Sequence, residues 1–314
     1  MIYLEMYGRL GNQFFRYAAA RALQLKFYPE EQMVINFQQV NSAAVKDDSY
    51  YNVLDDYRVS PYLVYPKNGK VIFNESNLIQ KSVCIPYYWG LRKIKPEMMN
   101  EEMSYEERWK ETLCRNGLYW FRRGSWSLEK SDMKNKFVSG DFEAAAYFNE
   151  YRDVLLKEFT PRYPLLQKNM FLYEKIKTTN SVCISVRRGD FESDERIKNL
   201  HSVCHKDYFM RAIERIKELV DNPVFFFFSD DIEWVKQNIH TGCETYSEDG
   251  TDPVWEKLRM MSMCKHFIIS NSTFSWWAQY LSVNDEKIVI SPSRWFNNDY
   301  ECPLIEKEFI TISV

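Results

Sequence analysis

No two cysteines in this chain are spaced as C-x-x-C. The seven (Cys84, Cys114, Cys183, Cys204, Cys243, Cys264 and Cys302) are scattered, odd in number and without metal-ligand spacing. They read as reduced, mostly buried thiols, and a zinc site is not expected. Long apolar runs are missing too: nothing approaches the roughly 18 to 20 residues needed to span a bilayer. No basic segment with an apolar core precedes Ile2–Met6, so no signal peptide is expected, and both absences point to a soluble, cytoplasmic protein. Charge of one sign is not in excess. With 41 Lys and Arg against 44 Asp and Glu, the net charge is -3. No broad basic surface is implied and nucleic acid is not an expected partner, although a few local arginines suffice for a small anion. The nicotinamide fingerprint G-x-G-x-x-G is absent.

What is present is a chain of 314 residues, 45% hydrophobic and 16% aromatic. That length suits two domains of roughly 150 residues each. The aromatic excess serves core packing and stacking on sugars or bases equally well. Ile2–Met6 reads as a buried strand, Gly8–Asn12 as a turn, and Asn12–Phe27 as a helix carrying Phe14, Phe15, Ala18, Ala19, Ala22 and Leu23 at helical period. Strand, glycine turn and helix form the opening unit of a Rossmann-like sheet. Residues 40–135 have broken periodicity, and helices with long loops are expected there. Asp141–Phe159 reads as a helix. Two prolines in Thr160–Pro164 suggest a boundary, giving domains 1–160 and 161–314. Beyond it, strands are expected at 181–186, 224–228, 266–270 and, last, 287–291, alternating with helices at 207–220, 231–238, 252–264 and 273–281. This alternation implies a parallel α/β domain.

Four segments carry candidate chemistry. Val186-Arg187-Arg188-Gly189-Asp190 follows a strand, and in open α/β sheets ligands bind outside the carboxyl ends of strands. Arg187 and Arg188 have forked donors suited to phosphate oxygens, and because neighbouring side chains point to opposite sides, one can face a ligand while the other anchors the loop through Asp190. A surface salt bridge is the alternative. Ile269–Ala278 ends a strand in Ser270, Asn271, Ser272 and Thr273 and then begins a helix, whose free N–H groups make an anion cradle. Simple N-capping by Ser272 or Thr273 is compatible with that cradle. Phe274 stacks on a base or packs in the core. Phe228-Ser229-Asp230-Asp231 places carboxylates after another strand, for nucleotide hydroxyls or base N–H groups, or for a helix cap. The two are adjacent rather than spaced as D-x-D, and no second carboxylate cluster supports a metal. Finally, Gly8-Arg9-Leu10-Gly11-Asn12-Gln13 permits a tight turn and close ligand approach, or is a plain strand-to-helix turn with Asn12 as cap.

In this order the four segments resemble the bacterial α-1,2-fucosyltransferase family, glycosyltransferase family 11, which opens with a GRLGNQ-type turn, then has H-x-R-R-G-D, F-S-D-D and S-N-S-T-F-S-W-W. The resemblance covers nearly the whole chain to Trp295-Phe296 and is weakest over 40–135. It implies an α/β, GT-B-like fold of two Rossmann-like domains facing across a cleft, with the first on the acceptor side and the second binding GDP-fucose. It also implies metal-independent, inverting transfer of L-fucose to an oligosaccharide acceptor, a lactose-like or O-antigen-like galactoside. Arg187 would bind and stabilise the departing β-phosphate, and Asp190 would hold the motif in shape. Asp230 or Asp231 would read guanine or ribose. Asn271, Ser272, Thr273 and Phe274 would hold the pyrophosphate and base, with Arg188 and Ser185 alongside. Arg9 and Asn12 would sit near the reacting centre. The chain departs from the pattern at Ser185, where the family has histidine, so nucleotide contacts differ there. His201 resembles a family position after the arginine motif, and a buried structural role fits it equally. No cofactor is implied. The missing anchor points to a bacterial-type enzyme of membrane-associated glycan synthesis. Asp190, Glu192 and Glu195 are the nearest carboxylates for a general base, each equally an exposed loop charge. Tyr87, Tyr88, Trp89 and Trp120 suit either sugar stacking or the core. The rival readings are another nucleotide-sugar transferase and a glycan- or nucleotide-binding protein without turnover.

Overall fold

The computed structural model describes residues 1–189 and 195–314. The chain divides into two compact units, Met1–Thr160 and Pro161–Val314.

The first unit is built on five parallel strands: β1 (Ile2–Glu5), β2 (Met33–Asn36), β3 (Leu63–Val64), β4 (Leu118–Phe121) and β5 (Lys136–Gly140). Their order is β3-β2-β1-β5-β4. All four residues of β1 are buried, as a strand covered on both faces requires. Helix α1 (Leu10–Phe27) starts two residues before the expected Asn12 and buries Phe14, Phe15, Ala18, Ala19, Ala22 and Leu23. Helices α2 (Gln38–Ala44), α3 (Val71–Glu75), α4 (Leu78–Leu91), α5 (Met99–Arg115) and α6 (Arg152–Glu158) follow. A reciprocal capping box between Asn77 and Gln80 opens α4.

Two expectations need correcting here. Residues 40–135 contain strands as well as helices: the four residues of β4 are all buried, and Trp120 and Tyr87 belong to the core while Trp89 is exposed. Asp141–Phe159 is not one helix. Only Arg152–Glu158 is α-helical, preceded by short 3-10 turns at Ala145–Tyr147 and Asn149–Tyr151. The reason lies at Asp141, which is drawn into an arginine cluster at the end of β5 instead of starting a helix. Gly140 (φ +152°) brings the chain against β4 so closely that a Cβ there would collide with the Phe121 backbone.

The second unit carries six parallel strands: β6 (Asn180–Val186), β7 (Pro223–Ser229), β8 (Thr245–Ser247), β9 (His266–Ile268), β10 (Val289–Pro292) and β11 (Ile310–Ile312). The order is β11-β10-β9-β6-β7-β8. Counted from β6, this is the 3-2-1-4-5-6 order of a dinucleotide-binding sheet read from its other edge. The edge strands β8 and β11 were not expected, and β11 displaces 287–291 as the last strand. Helices α7 (Met170–Thr178), α8 (Glu195–His201), α9 (Lys206–Lys217), α10 (Ile232–Asn238), α11 (Val254–Met263) and α12 (Thr273–Tyr280) complete it. Tyr208, Phe209, Ala212, Ile213 and Ile216 form the buried stripe of α9 and pack on Val182, Ile184, Phe225 and Phe227 of the sheet. Five of the seven cysteines are buried and all are free thiols.

In the first unit β1 and β5 are neighbours at the centre of the sheet, with β5 reached from the edge strand β4; in the second the strand order reverses once, between β6 and β9. Such a reversal sends the flanking connections apart and leaves a crevice at the carboxyl ends of the two strands, where doubly wound sheets bind ligands.

Candidate active site

At the reversal point of the second unit, β6 ends in Arg187-Arg188-Gly189. Arg187 pairs through Nη1 with Asp230 Oδ2 at 2.8 Å. Asp230 Oδ1 accepts the Arg188 backbone N–H at 2.9 Å. The Arg188 guanidinium goes elsewhere, to Asp231 Oδ2 at 3.3 Å and over the Trp234 ring at 3.9 Å. The two arginines thus have separate anchors supplied by the end of β7. Gly189 is required by space: a Cβ there would lie 2.6 Å from Asp230 Oδ2. Asp231 also caps α10, accepting the Trp234 N–H at 3.1 Å. Both carboxylates of the Asp230-Asp231 pair are therefore engaged in holding the arginine loop. Asp190, expected to do that, lies outside the described residues, as does Glu192; the side chain of Glu195 is outside them as well.

Across the crevice, β9 leads to α12. Ser272 is its N-cap, and among the described residues no side chain caps this helix and no acidic residue occupies its first turn. The orphan N–H groups and the positive end of the helix dipole are thus left for an anion. Ser272, Thr273 and Phe274 are half-buried around this turn. Ser185 is buried, and its Oγ lies 2.6 Å from Ser275 Oγ, which lies 3.1 Å from Ser270 Oγ. This hydroxyl chain ties the end of β6 to the start of α12. Asn271 does not line the crevice. It is buried, and its Nδ2 donates to the His201 carbonyl at 2.7 Å and the Trp295 carbonyl at 2.9 Å, holding three loops together. The His201 ring meets Phe296 edge-on at 5.1 Å. Trp276 and Trp277 are fully buried.

The structure gathers one carboxylate group that sequence spacing did not reveal, Glu248, Asp249 and Asp252. Lys168 pairs with Asp249 and Asp252, and Lys257 with Glu248. These residues leave the edge strand β8, two strands away from the β6–β9 crevice.

The first unit has its own polar cluster at the carboxyl ends of the neighbouring strands β1 and β5. Arg9 leaves the turn after β1 and is bound by Ser49 and Asp47, both at 2.8 Å, beside the Tyr50 ring. Hydrogen bonds from Ser49 and Arg9 lower the Asp47 carboxyl to about 2. Asn12 Nδ2 donates to Glu143 Oε1 at 3.2 Å. Asp141 accepts from the Tyr7 hydroxyl at 2.5 Å and Arg16 Nη2 at 2.6 Å, with Arg122 Nε at 3.6 Å and Arg123 Nη1 at 3.8 Å. Burial opposes the charge on Asp141, and the three arginines outweigh it, so its carboxyl stays below the ordinary value. Glu143 goes the other way: burial and the Asp141 charge push it up to about 7 against the pull of the arginines. Glu102 pairs with Arg122 and Arg123 at 2.7 Å each. Burial raises Glu106 to about 8, although it accepts the Arg122 and Arg123 backbone N–H groups. Sequence reasoning missed Asp141, Glu143, Arg122 and Arg123. The signal available was their position just after two strands, and neither β4 nor β5 was anticipated.

Two Rossmann-like units, each built on a parallel sheet, one with paired arginines beside an uncapped helix start, define a GT-B-type glycosyltransferase. The fold matches NodZ, an α-1,6-fucosyltransferase from Bradyrhizobium whose structure was determined after soaking with GDP-fucose, with a TM-score of 0.52, 12% identity, and coverage of 89% of this chain and 91% of that one. The family model for glycosyl transferase family 11 matches residues 122–311, and the chain belongs to that family. It is 26% identical to the Escherichia coli O-antigen biosynthesis glycosyltransferase WbnK over 99% of this chain and 100% of that protein. It is 36% identical to an Escherichia coli α-1,2-colitosyltransferase over 51% of this chain and 56% of that protein. With human galactoside α-(1,2)-fucosyltransferase 1 it shares 28% identity over 51% of this chain and 47% of that protein. The last two matches thus span about half the length of those relatives. Among the described residues, no helix is long and apolar enough to cross a membrane.

Proposed function

We propose that this glycosyltransferase moves L-fucose from GDP-β-L-fucose to a glycan hydroxyl, the 2-OH of a terminal β-galactoside, with inversion to an α-1,2 linkage and without a divalent metal. The observation that carries this reading is the pairing of the Arg187 loop, held by Asp230, with the uncapped start of α12 at one strand-order reversal. A leaving diphosphate gains negative charge as its bond to the sugar breaks. A guanidinium fork and a helix N-terminus, both fixed before reaction, stabilise that charge without reorganising, which is the task a metal performs in other transferases. Arg187 is the group that meets the β-phosphate. Arg188, stacked on Trp234, and Asp230 and Asp231 position it. The acceptor oxygen forms its bond to C1 from the face opposite GDP and gives its proton to solvent water, and GDP departs with the electron pair of the broken bond between C1 and the β-phosphate oxygen. The second unit binds the donor and the first binds the acceptor, in the cytoplasm. The linkage is supported by two relatives, the α-1,2-colitosyltransferase and human galactoside α-(1,2)-fucosyltransferase 1.

The test is GDP release from GDP-fucose with lactose as acceptor in the presence of EDTA, comparing wild type with Arg187→Ala. Turnover that survives EDTA and collapses in the variant supports the reading. Turnover that needs a metal, or that survives loss of Arg187, refutes it. The 36% identity to an α-1,2-colitosyltransferase favours one second reading, a colitosyl donor on the same scaffold. Competition between GDP-fucose and GDP-colitose separates the two.

A further inference from the structure

The crevice of the first unit differs in kind from that of the second. It lies at the carboxyl ends of the neighbouring strands β1 and β5. Tyr7 and Arg16 reach across it to Asp141, and Asn12, in the first turn of α1 behind β1, donates to Glu143, in the loop behind β5. The backbone between the two acidic residues of that loop is strained. Phe142 has φ +54°, a left-handed conformation that a bulky residue adopts only when its surroundings enforce it, and such strain collects at ligand-binding positions. The enforcement is visible: the Phe142 ring is buried and packs edge-on against Tyr147 at 5.2 Å and Phe121 at 6.5 Å. With the ring locked into the core, the loop holds Asp141 and Glu143 in place on either side.

The charges are divided unequally. Asp141 takes Arg16, Arg122 and Arg123, and Glu102 takes Arg122 and Arg123 again. Among the described residues, Glu143 forms no ion pair; its hydrogen bond is the one from Asn12 to Oε1, and Oε2 receives none. The three arginines are already engaged by Asp141 and Glu102, which leaves little positive charge for a phosphate. A half-buried carboxylate beside a primary amide, in such a crevice, is instead a site for neutral hydroxyls: Oε2 accepts from one, and the amide is a hydrogen-bonding neighbour for the next.

We propose that Glu143, held by Asn12, binds a hydroxyl of the acceptor sugar and thereby sets which glycan the first unit accepts. This rests on the glycosyl-transfer reading above, but its test does not need turnover. Lactose binding is measured by saturation-transfer NMR and GDP binding by calorimetry, for wild type, Glu143→Ala and the near-isosteric Glu143→Gln, with melting curves for all three. Loss of a hydrogen bond to a charged acceptor corresponds to a weakening of roughly tenfold or more. The expected result is that Glu143→Ala weakens lactose by about that factor, Glu143→Gln stays within about threefold of wild type, and GDP affinity is unchanged in both. Where turnover is measured, the alanine effect falls on the lactose KM more than on kcat. Equal lactose binding by wild type and Glu143→Ala, no lactose binding by wild type, or a loss confined to GDP each overturns the proposal. A collapse of kcat in Glu143→Gln with the lactose KM unchanged also overturns it, since that marks a proton acceptor. Wild type that binds lactose through Glu143 yet transfers nothing from GDP-fucose instead sinks the reaction reading alone.

Discussion

Gly189→Ala separates folding from function in the second unit. The added methyl would lie 2.6 Å from Asp230 Oδ2 and 3.9 Å from the Arg187 guanidinium carbon. Real Cβ atoms do not approach an oxygen that closely, so the Asp230 carboxylate has to swing away. It can do so, because the Asp230 side chain is 26% exposed and is the mobile end of its residue. The fold loses only a partly exposed ion pair, a matter of about 0–1 kcal/mol, and the melting temperature should fall by no more than about 2–4 °C. The nucleotide loses more. Swinging Asp230 aside removes the partner of Arg187 at 2.8 Å and of the Arg188 N–H at 2.9 Å, so the phosphate-binding fork is no longer held in place. At about 1.5–3 kcal/mol for a charge-assisted contact, GDP affinity should drop roughly 10- to 150-fold. Calorimetric titration with GDP beside a thermal melt reads both quantities. Asp230→Ala should match the loss, and the double variant should add nothing, because both changes act on one contact. GDP binding within twofold of wild type, or a melting temperature lowered by more than 10 °C, would falsify this account of the loop.

Arg187→Ala should reduce turnover by about 10²–10³-fold, with EDTA without effect on either protein, as read by GDP release. Lactose binding should be pH-dependent through Glu143, whose carboxyl is raised to about 7 by burial and by Asp141. The charged form, the stronger hydrogen-bond acceptor, predominates above that pH, so the lactose KM should rise as pH falls from 8 to 6. Arg122 and Arg123 behind β4 and Asp141 keep their charges across that window, and Asn12 does not titrate; Glu106, raised to about 8 beside the same arginines, is told apart by the Gln variant. Glu143→Gln should therefore be flat, and a Gln variant with the same pH profile as wild type assigns the titration elsewhere. Trp277, fully buried in α12, should cost about 3–5 kcal/mol when cut to Ala, visible in denaturant unfolding of the second unit. A cost under 1 kcal/mol would mean the helix is not locked by its indoles.

Much of the second unit was legible along the chain. Runs such as Ser181–Val186 and Val224–Phe228 are buried on both faces of a parallel sheet and so are continuous in hydrophobicity. A helix that begins at Thr273 follows from the switch between a small polar run and helical period, although the Ser272 side chain does not cap it. Local patterns of this kind need no partner to be recognised. Lys136–Gly140 and Leu118–Phe121 are different. They are four or five residues long, flanked by loops, and become strands only because β1 and Gly140 allow them to pair. With those strands unread, Asp141–Phe159 kept its apparent helical period, and the strained turn at Phe142 went unseen.

The candidate site divides along the same line. Which residues carry charge and donors at the carboxyl end of β6 is a property of Arg187-Arg188-Gly189 itself, as is the likeness to family 11. What each does depends on partners far along the chain. Asp230 and Asp231 anchor the arginines from more than forty residues away. Asn271 is spent on the His201 and Trp295 carbonyls. Glu143 meets Asn12 across 131 positions. Periodicity and motif report the preferences of neighbouring residues, and so they determined the elements and the chemical class. Pairing of distant charges depends on how the strands are ordered, and only the tertiary structure decided which side chains hold the site together and which remain to meet a ligand.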